Sequence, residues 1–201
     1  GAVATNAGAA GFADTDIGVV KDSDVRGNAT QNTTVLGVVN TNAAAIGKAE
    51  TRIGAVEESN INGNLDQATT VVGAVQTNAA VGLAATNIGT VDNTDVTGGD
   101  LKQNTFVGGG VATTGGIGAA QTSIGAVKDS RVTGTLNQNT TVVGAVATTG
   151  IGGGFATTNI GTVSDASIRG NVNQNTTVGG VVNTTAAGIG EGCTSIGTIG
   201  K

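Results

Sequence analysis

Apolar and polar positions alternate along most of the chain, and this alternation repeats at a fixed interval. One key apolar residue recurs in words such as TDIGVV and TRIGAV (the Ile) and in words such as TTV and NTF (the last residue). Nine of the ten spacings between these residues are 18 and one is 17; the residues are Ile17, Val35, Ile53, Val71, Ile88, Phe106, Ile124, Val142, Ile160, Val178 and Ile196. The sequence therefore predicts units of 18 residues in two alternating types, which together form a 36-residue double repeat.

The residues around each key position predict strands rather than helices. Thr lies two positions before it, as in Thr15 and Thr33, and Ser or Thr usually lies six positions after it. β-Branched residues favour strands, whereas Gly every few residues would destabilise a helix by roughly 1 kcal/mol each. A period of two inside a longer repeat is typical of strands coiled into a solenoid. We predict an all-β protein, a single β-solenoid over residues 1–201 with about eleven 18-residue coils and cross-β-like stacking.

The shape of such a coil stays open between two forms. An 18-residue coil fits a triangle of three short strands or a flattened loop of two longer strands, and Ser and Thr six residues after the key position favour the flattened loop. Eleven layers would give a rod roughly 50 Å long. Glycines that recur with the double repeat, such as Gly18 and Gly27, are predicted to form the corners, which need positive φ or close backbone approach.

Amide side chains that recur with the double repeat predict ladders along the rod. Stacked amides hydrogen-bond from one layer to the next, and an unpaired buried amide costs about 1–3 kcal/mol. Threonine hydroxyls are expected to form similar ladders. Besides the key apolar residues, the predicted ladder residues are Gln31, Gln67, Gln103, Gln138, Gln174, Asn32, Asn104, Asn139 and Asn175.

Composition restricts the function. The chain has 36 Gly, 11% charged residues, one Cys and no His, so a Ser-His-Asp triad and metal clusters of His or Cys are excluded. The net charge of −5 argues against nucleic acid, which needs basic patches. There is no run of 18 apolar residues, which argues against a membrane span. We expect no enzyme activity, no catalytic residues, no cofactor and no metal.

Charged residues gather at one place in the units that carry the key Ile. We interpret them as a solvated stripe that limits sideways aggregation, with lateral pairing between rods as the alternative. The stripe contains Lys21, Asp22, Asp24, Arg26, Glu57, Glu58, Lys128, Asp129, Arg131, Asp165 and Arg169.

Ice binding is a remote alternative, since it needs regularly spaced outward threonines. The residue before the key position is Thr in every second unit, as in Thr34 and Thr70, and Asp16 and Arg52 lie in the units between. In an 18-residue coil all four would share one column, and the charges would interrupt a threonine array.

The first and last words of the chain belong to the repeat, so we expect end strands without separate caps. GAVATN at the start matches GVVNTN at 37–42. Open strand edges pair readily, and identical end contacts that do not close give an open filament. The predicted partner is the protein itself, head-to-tail; the predicted polymer contacts are Gly1, Ala2, Val3, Ala4, Thr5, Thr194, Ser195, Ile196, Gly197, Thr198 and Ile199.

The word QNTTVxGxVxT and its neighbours form a Gln/Asn and Gly repeat without Pro across nearly the whole chain. It resembles secreted bacterial fibre proteins, including the curli and Fap classes of functional amyloid. The resemblance implies a structural subunit of an extracellular or cell-surface filament, such as a biofilm matrix fibre, with surfaces or polysaccharides as further contacts. The alternative is a stalk or passenger segment of a bacterial adhesin that binds a host or surface ligand.

Overall fold

The chain is wound into a parallel β-solenoid of about five turns, in a computed structural model that describes residues 1–8 and 10–200. One coil contains about 36 residues, since Val39 lies beside Val75 and Val75 lies beside Val111 in the parallel register. The predicted 18-residue coil and the count of eleven coils are therefore wrong. The two alternating unit types form different sides of one coil, and the rod is about half as long as predicted.

Twenty-five strands make up the described residues. In chain order they are β1 (Val3–Ala7), β2 (Ala10–Ile17), β3 (Val20–Lys21), β4 (Asp24–Val25), β5 (Ala29–Leu36), β6 (Val39–Ile53), β7 (Val56–Glu57), β8 (Asn60–Asn62), β9 (Leu65–Val72), β10 (Val75–Ile88), β11 (Val91–Asp92), β12 (Asp95–Thr97), β13 (Leu101–Val107), β14 (Val111–Ile117), β15 (Ala120–Ile124), β16 (Val127–Lys128), β17 (Arg131–Val132), β18 (Leu136–Val142), β19 (Val146–Ile151), β20 (Ala156–Ile160), β21 (Val163–Ser164), β22 (Ser167–Ile168), β23 (Val172–Val178), β24 (Val182–Ala187) and β25 (Gly192–Ile196).

Four parallel sheets run along the rod, and each coil crosses them in the same order. Sheet B contains β3, β7, β11, β16 and β21; sheet C contains β4, β8, β12, β17 and β22; sheet D contains β5, β9, β13, β18 and β23. The remaining strands form the 10-stranded sheet A. The cross-section thus has two two- or three-residue sides, one longer side and a crossing of sheet A, and it is neither the triangle nor the flattened loop.

Sheet A consists of two arms whose inner surfaces face each other. The first arm holds β1, the start of β6 and β10, β14, β19 and β24; the second arm holds β2, the end of β6 and β10, β15, β20 and β25. Ala43 of the first arm and Ala49 of the second belong to one buried alanine cluster near the tip of the arms. Small side chains at this position allow the two arms to lie close together.

Two larger apolar clusters fill the wider part of the coil. Val39, Ile53 and Val71 represent the cluster at the base of the arms, and their counterparts in the other coils belong to it. Ile61 and Leu65 represent the cluster enclosed by sheets B, C and D. Each coil therefore buries nearly the same apolar set against its neighbours, which is the main favourable contribution to folding.

The predicted key apolar residues form two columns instead of one. Those with Ile, from Ile17 to Ile196, lie in the second arm, and those with Val, from Val35 to Val178, lie in sheet D. Phe106 was wrongly placed among them, because it lies beside Thr70 and points outward with 38% exposure. Val107 occupies the buried place, so the word NTF is one residue out of register, which turns a side chain to the other face.

A glycine turn follows the second arm in every coil. Gly54 has φ 59°, and a Cβ there would collide with the Thr69 hydroxyl oxygen. The same arrangement recurs at Gly89 against Thr105. Only glycine fits a positive φ in such a confined space. Within the described residues, no helix is long and apolar enough to cross a membrane.

Candidate functional site

The edge of a coil is the surface that the sequence repeats most faithfully. In sheet D, Leu101–Val107 pairs with Leu65–Val71 on one side and with Leu136–Val142 on the other, without a shift in register. The inward positions of these three strands carry the same residue types: Leu, Gln, Thr and Val. Any coil therefore offers its neighbour the same backbone groups and the same buried side chains.

Buried glutamines form one ladder through sheet D. Gln103 Nε2 donates to Gln67 Oε1 at 3.1 Å, and Gln138 Nε2 donates to Gln103 Oε1 at 2.9 Å. Gln103 Nε2 also donates to the Gly89 carbonyl oxygen and lies 3.4 Å from that of Ala126. These carbonyls fix which end of the amide carries the nitrogen, so every Nε2 points towards the preceding coil.

The predicted asparagines lie elsewhere. Asn32, Asn104, Asn139 and Asn175 are exposed on the outer surface of sheet D, and Ala68 takes the equivalent place in the second coil. Asn175 Nδ2 donates to Asn139 Oδ1 at 3.2 Å, so this outer ladder is only partly formed. Alternate residues of a strand face opposite sides, so the Gln and the following Asn cannot both be buried.

A continuous chain of threonine hydroxyls runs between the two arms of sheet A. Successive oxygens lie 2.7–2.8 Å apart, and the chain zigzags from one arm to the other through all coils. Each hydroxyl has one proton, so one direction of donation must hold along the whole chain. Its members are Thr5, Thr15, Thr41, Thr51, Thr77, Thr86, Thr113, Thr122, Thr148, Thr158, Thr184 and Thr194.

Arg52 is the centre of a charged cluster in the concave surface between the second arm and sheet B. Its guanidinium nitrogens lie 2.6 Å from Asp14, 2.7 Å from Glu50 and 2.9 Å from Asp16. Burial opposes ionisation of Glu50, but hydrogen bonds from Arg52 and Lys48 outweigh it and lower the pKa of that carboxyl. The cluster joins the first two coils and was not predicted, because it depends on the concave shape of the coil.

Acidic side chains also stack on the outer surface of sheet B. Glu57 lies beside Asp92 in the register, and Lys128 follows Asp92 in the next coil. Burial raises the pKa of Asp92, and Asp129 adds to this effect while Lys128 opposes it. Burial likewise raises the pKa of Glu57 against the attraction of Arg52. The predicted charged stripe thus lies on sheets B and C, and part of it is strained.

The two outermost coils have open strand edges among the described residues. β1 and β2 pair only with β6 at one end, whereas β24 pairs with β19 and β25 with β20 at the other. Of the predicted contact residues, Val3 to Thr5 lie in β1, Thr194 to Ile196 lie in β25, and Ile199 bridges to Val163. The sequence reasoning missed β2 and β24, which belong to the same edges; the 36-residue period was the signal that would have identified them.

The outer surface of sheet D carries a threonine column. Thr34, Thr70, Thr141 and Thr177 share one register position, and Phe106 takes that position in the middle coil. Asp16 and Arg52 lie on the second arm of sheet A, so no charge interrupts this column. The objection to a threonine array therefore depended on the wrong coil length.

The described part of the chain holds no group of three or more His, Cys, Asp or Glu side chains that could bind a metal ion. Comparison of the chain with models of protein families, with curated proteins and with solved structures finds no match.

Proposed function

We propose that the protein is the structural subunit of an extracellular fibre, such as a biofilm or surface filament, and that subunits assemble head-to-tail by stacking of coil edges. The proposal rests on the repeated coil surface and on the resemblance to secreted bacterial fibre proteins. A rod of identical layers offers at each end the surface that its own interior uses.

A single observation carries the proposal, namely the match between the two outermost edges of sheet A. The inward residues of the N-terminal edge are Val3, Thr5, Ala7, Ala13, Thr15 and Ile17. Those of the C-terminal edge are Val182, Thr184, Ala186, Gly192, Thr194 and Ile196. Placing β1 on β24 and β2 on β25 therefore repeats, almost residue for residue, the contacts that β24 and β25 make with β19 and β20.

Electron microscopy of the purified 201-residue chain tests the proposal. We expect unbranched filaments whose amount rises with protein concentration and whose diffraction shows a meridional spacing of about 4.8 Å. Labelling of intact cells that produce the protein should locate the filaments outside the cell. Chains that stay monomeric at high concentration would contradict the fibre and favour a segment of an adhesin.

The threonine column on sheet D supports ice binding as a second candidate. Its hydroxyls repeat at about 4.8 Å between coils, and the neighbouring outward column lies roughly 6.6 Å away along the strand. That second column holds Asn32, Ala68, Asn104, Asn139 and Asn175. A flat, regular array of small polar groups of this kind can order water over its whole surface.

Thermal hysteresis of the monomeric chain tests this candidate. Phe106→Thr completes the column and should increase the hysteresis, whereas Thr141→Lys should abolish it. Equal freezing and melting points for the wild-type chain and the Phe106→Thr variant would remove the candidate.

A further inference from the structure

Glycines in sheet A mark positions where one coil lies against the carbonyl groups of the coil before it. A Cβ on Gly47 would collide with the Gly11 carbonyl oxygen, and a Cβ on Gly82 would collide with that of Gly47. The column continues to Gly190, whose Cβ would collide with the Gly154 carbonyl oxygen. Each of these glycines is therefore required by its neighbour on the N-terminal side.

Gly11 belongs to the same column, yet nothing within the chain requires it. Its φ is not in the left-handed region, and a Cβ there would meet only the Ala7 Cβ at an ordinary 3.5 Å. Gly1 precedes Gly37 in the other glycine column of sheet A, and a Cβ on Gly1 would meet nothing within 4 Å. The outermost coil thus keeps the residues that a coil stacked beneath it would demand.

We infer that the N-terminal edge of sheet A is a receptor surface for the C-terminal edge of a second copy, so that the filament is polar. This inference rests on the proposed fibre function. In this arrangement Gly11 lies over Gly190, and β1 and β2 lie over β24 and β25 of the other copy.

The threonine chain supports the same direction. Within the rod, Thr158 of the second arm is 2.7 Å from Thr184 of the first arm in the next coil. The equivalent step at the junction joins Thr194 of one copy to Thr5 of the other. Thr194 is exposed and Thr5 is half-buried in the single chain, so each has room for this partner. Because the chain of donors runs one way, opposite ends continue it and like ends oppose it.

Two variants separate the edges. Gly11→Ala leaves the single chain unstrained but places a methyl group against the Gly190 carbonyl of the other copy. Gly192→Pro blocks the opposite edge: in the preceding coils the equivalent amides of Ala120 and Ala156 donate to the next coil, at 2.8 and 3.0 Å, so the Gly192 N–H points out of the rod. Gly110→Ala is the control, since its Cβ would meet only a carbonyl oxygen at 4.0 Å.

Sedimentation velocity of the variants, alone and mixed, reads out the polarity. We expect wild type and Gly110→Ala to form filaments, each edge variant alone to remain monomeric, and an equimolar mixture to form 1:1 dimers and nothing longer. Unchanged melting temperatures would show that the single chains are folded. Dimers of either edge variant alone, or Gly11→Ala filaments growing within twofold of the wild-type rate, would overturn the polar receptor surface while leaving the fibre intact. Failure of the wild type to assemble would instead contradict the fibre itself.

Discussion

Gln103 donates from Nε2 to Oε1 of Gln67 at 3.1 Å, one coil earlier, and both side chains are fully buried. The same link joins four successive pairs of coils, from Gln31 to Gln174. A buried amide is tolerated here because the neighbouring coils and the turn carbonyls satisfy its donors and its acceptor.

Replacing Gln103 with Leu should destabilise the fold by about 2–4 kcal/mol. The substitution leaves Gln67 Oε1 without its donor and Gln138 Nε2 without one acceptor, and unsatisfied buried groups cost about 1–3 kcal/mol each. Denaturant unfolding of the monomeric chain measures the change. Asn104→Leu, one residue along and exposed, is the matched control and should change the free energy of unfolding by less than about 0.5 kcal/mol. Equal effects of the two substitutions would contradict the buried ladder.

Thr86→Val should interrupt the hydroxyl chain between the arms. Thr77 and Thr113 would each lose their link to Thr86, at 2.8 and 2.7 Å, with little change in volume. We expect a loss of about 1–3 kcal/mol in the free energy of unfolding. Thr141→Val, on the outer surface of sheet D, removes a hydroxyl that takes no part in the chain. A Thr86→Val protein as stable as Thr141→Val would show that the chain contributes nothing.

Gly89→Ala should be among the most damaging single-methyl additions. Gly89 has φ 57°, which alone costs a residue with a Cβ about 1–2 kcal/mol, and the methyl group would collide with the Thr105 side chain. We expect a fall in melting temperature of several degrees or loss of folding, measured by circular dichroism. Gly110→Ala is again the control. A stable Gly89→Ala protein would mean that the turn after the second arm has another conformation.

Asp92→Asn should stabilise the protein at neutral pH. Burial raises the pKa of Asp92 in the folded chain, so ionisation of this carboxyl disfavours the folded state at pH values above its folded pKa. The amide removes that cost, and we expect a higher melting temperature than wild type at pH 7. Below the ordinary value of 3.8, the carboxyl is neutral in both states and the difference should vanish. A difference that does not depend on pH would contradict the electrostatic explanation.

The sequence was sufficient for the all-β solenoid but not for its coil. The spacing of about 18 residues is real, yet the units with the key Ile lack the Gln that every second unit carries. A buried amide ladder needs a Gln in every layer, so Gln31 and Gln67, which are 36 residues apart, were the signal that the coil is 36 residues long.

Other features depended on the three-dimensional shape of the coil. Arg52 is 6% exposed only because the second arm and sheet B form a concave corner. Phe106 and Val107 were assigned to the wrong faces because an apolar residue at either position continues an apparent period of 18. The threonine chain combines Thr41 and Thr51, which the sequence places in different units and the fold places face to face.

The axial rise per subunit in filaments of the 201-residue chain, measured by electron cryomicroscopy, tests the account most directly. If Val3 of one copy lies one layer beyond Val182 of its neighbour, successive subunits are six layers apart. The account predicts a rise of about 29 Å, divided into layers of about 4.8 Å. A rise near 50 Å, or filaments whose strands do not lie across the axis, would contradict stacking of 36-residue coils.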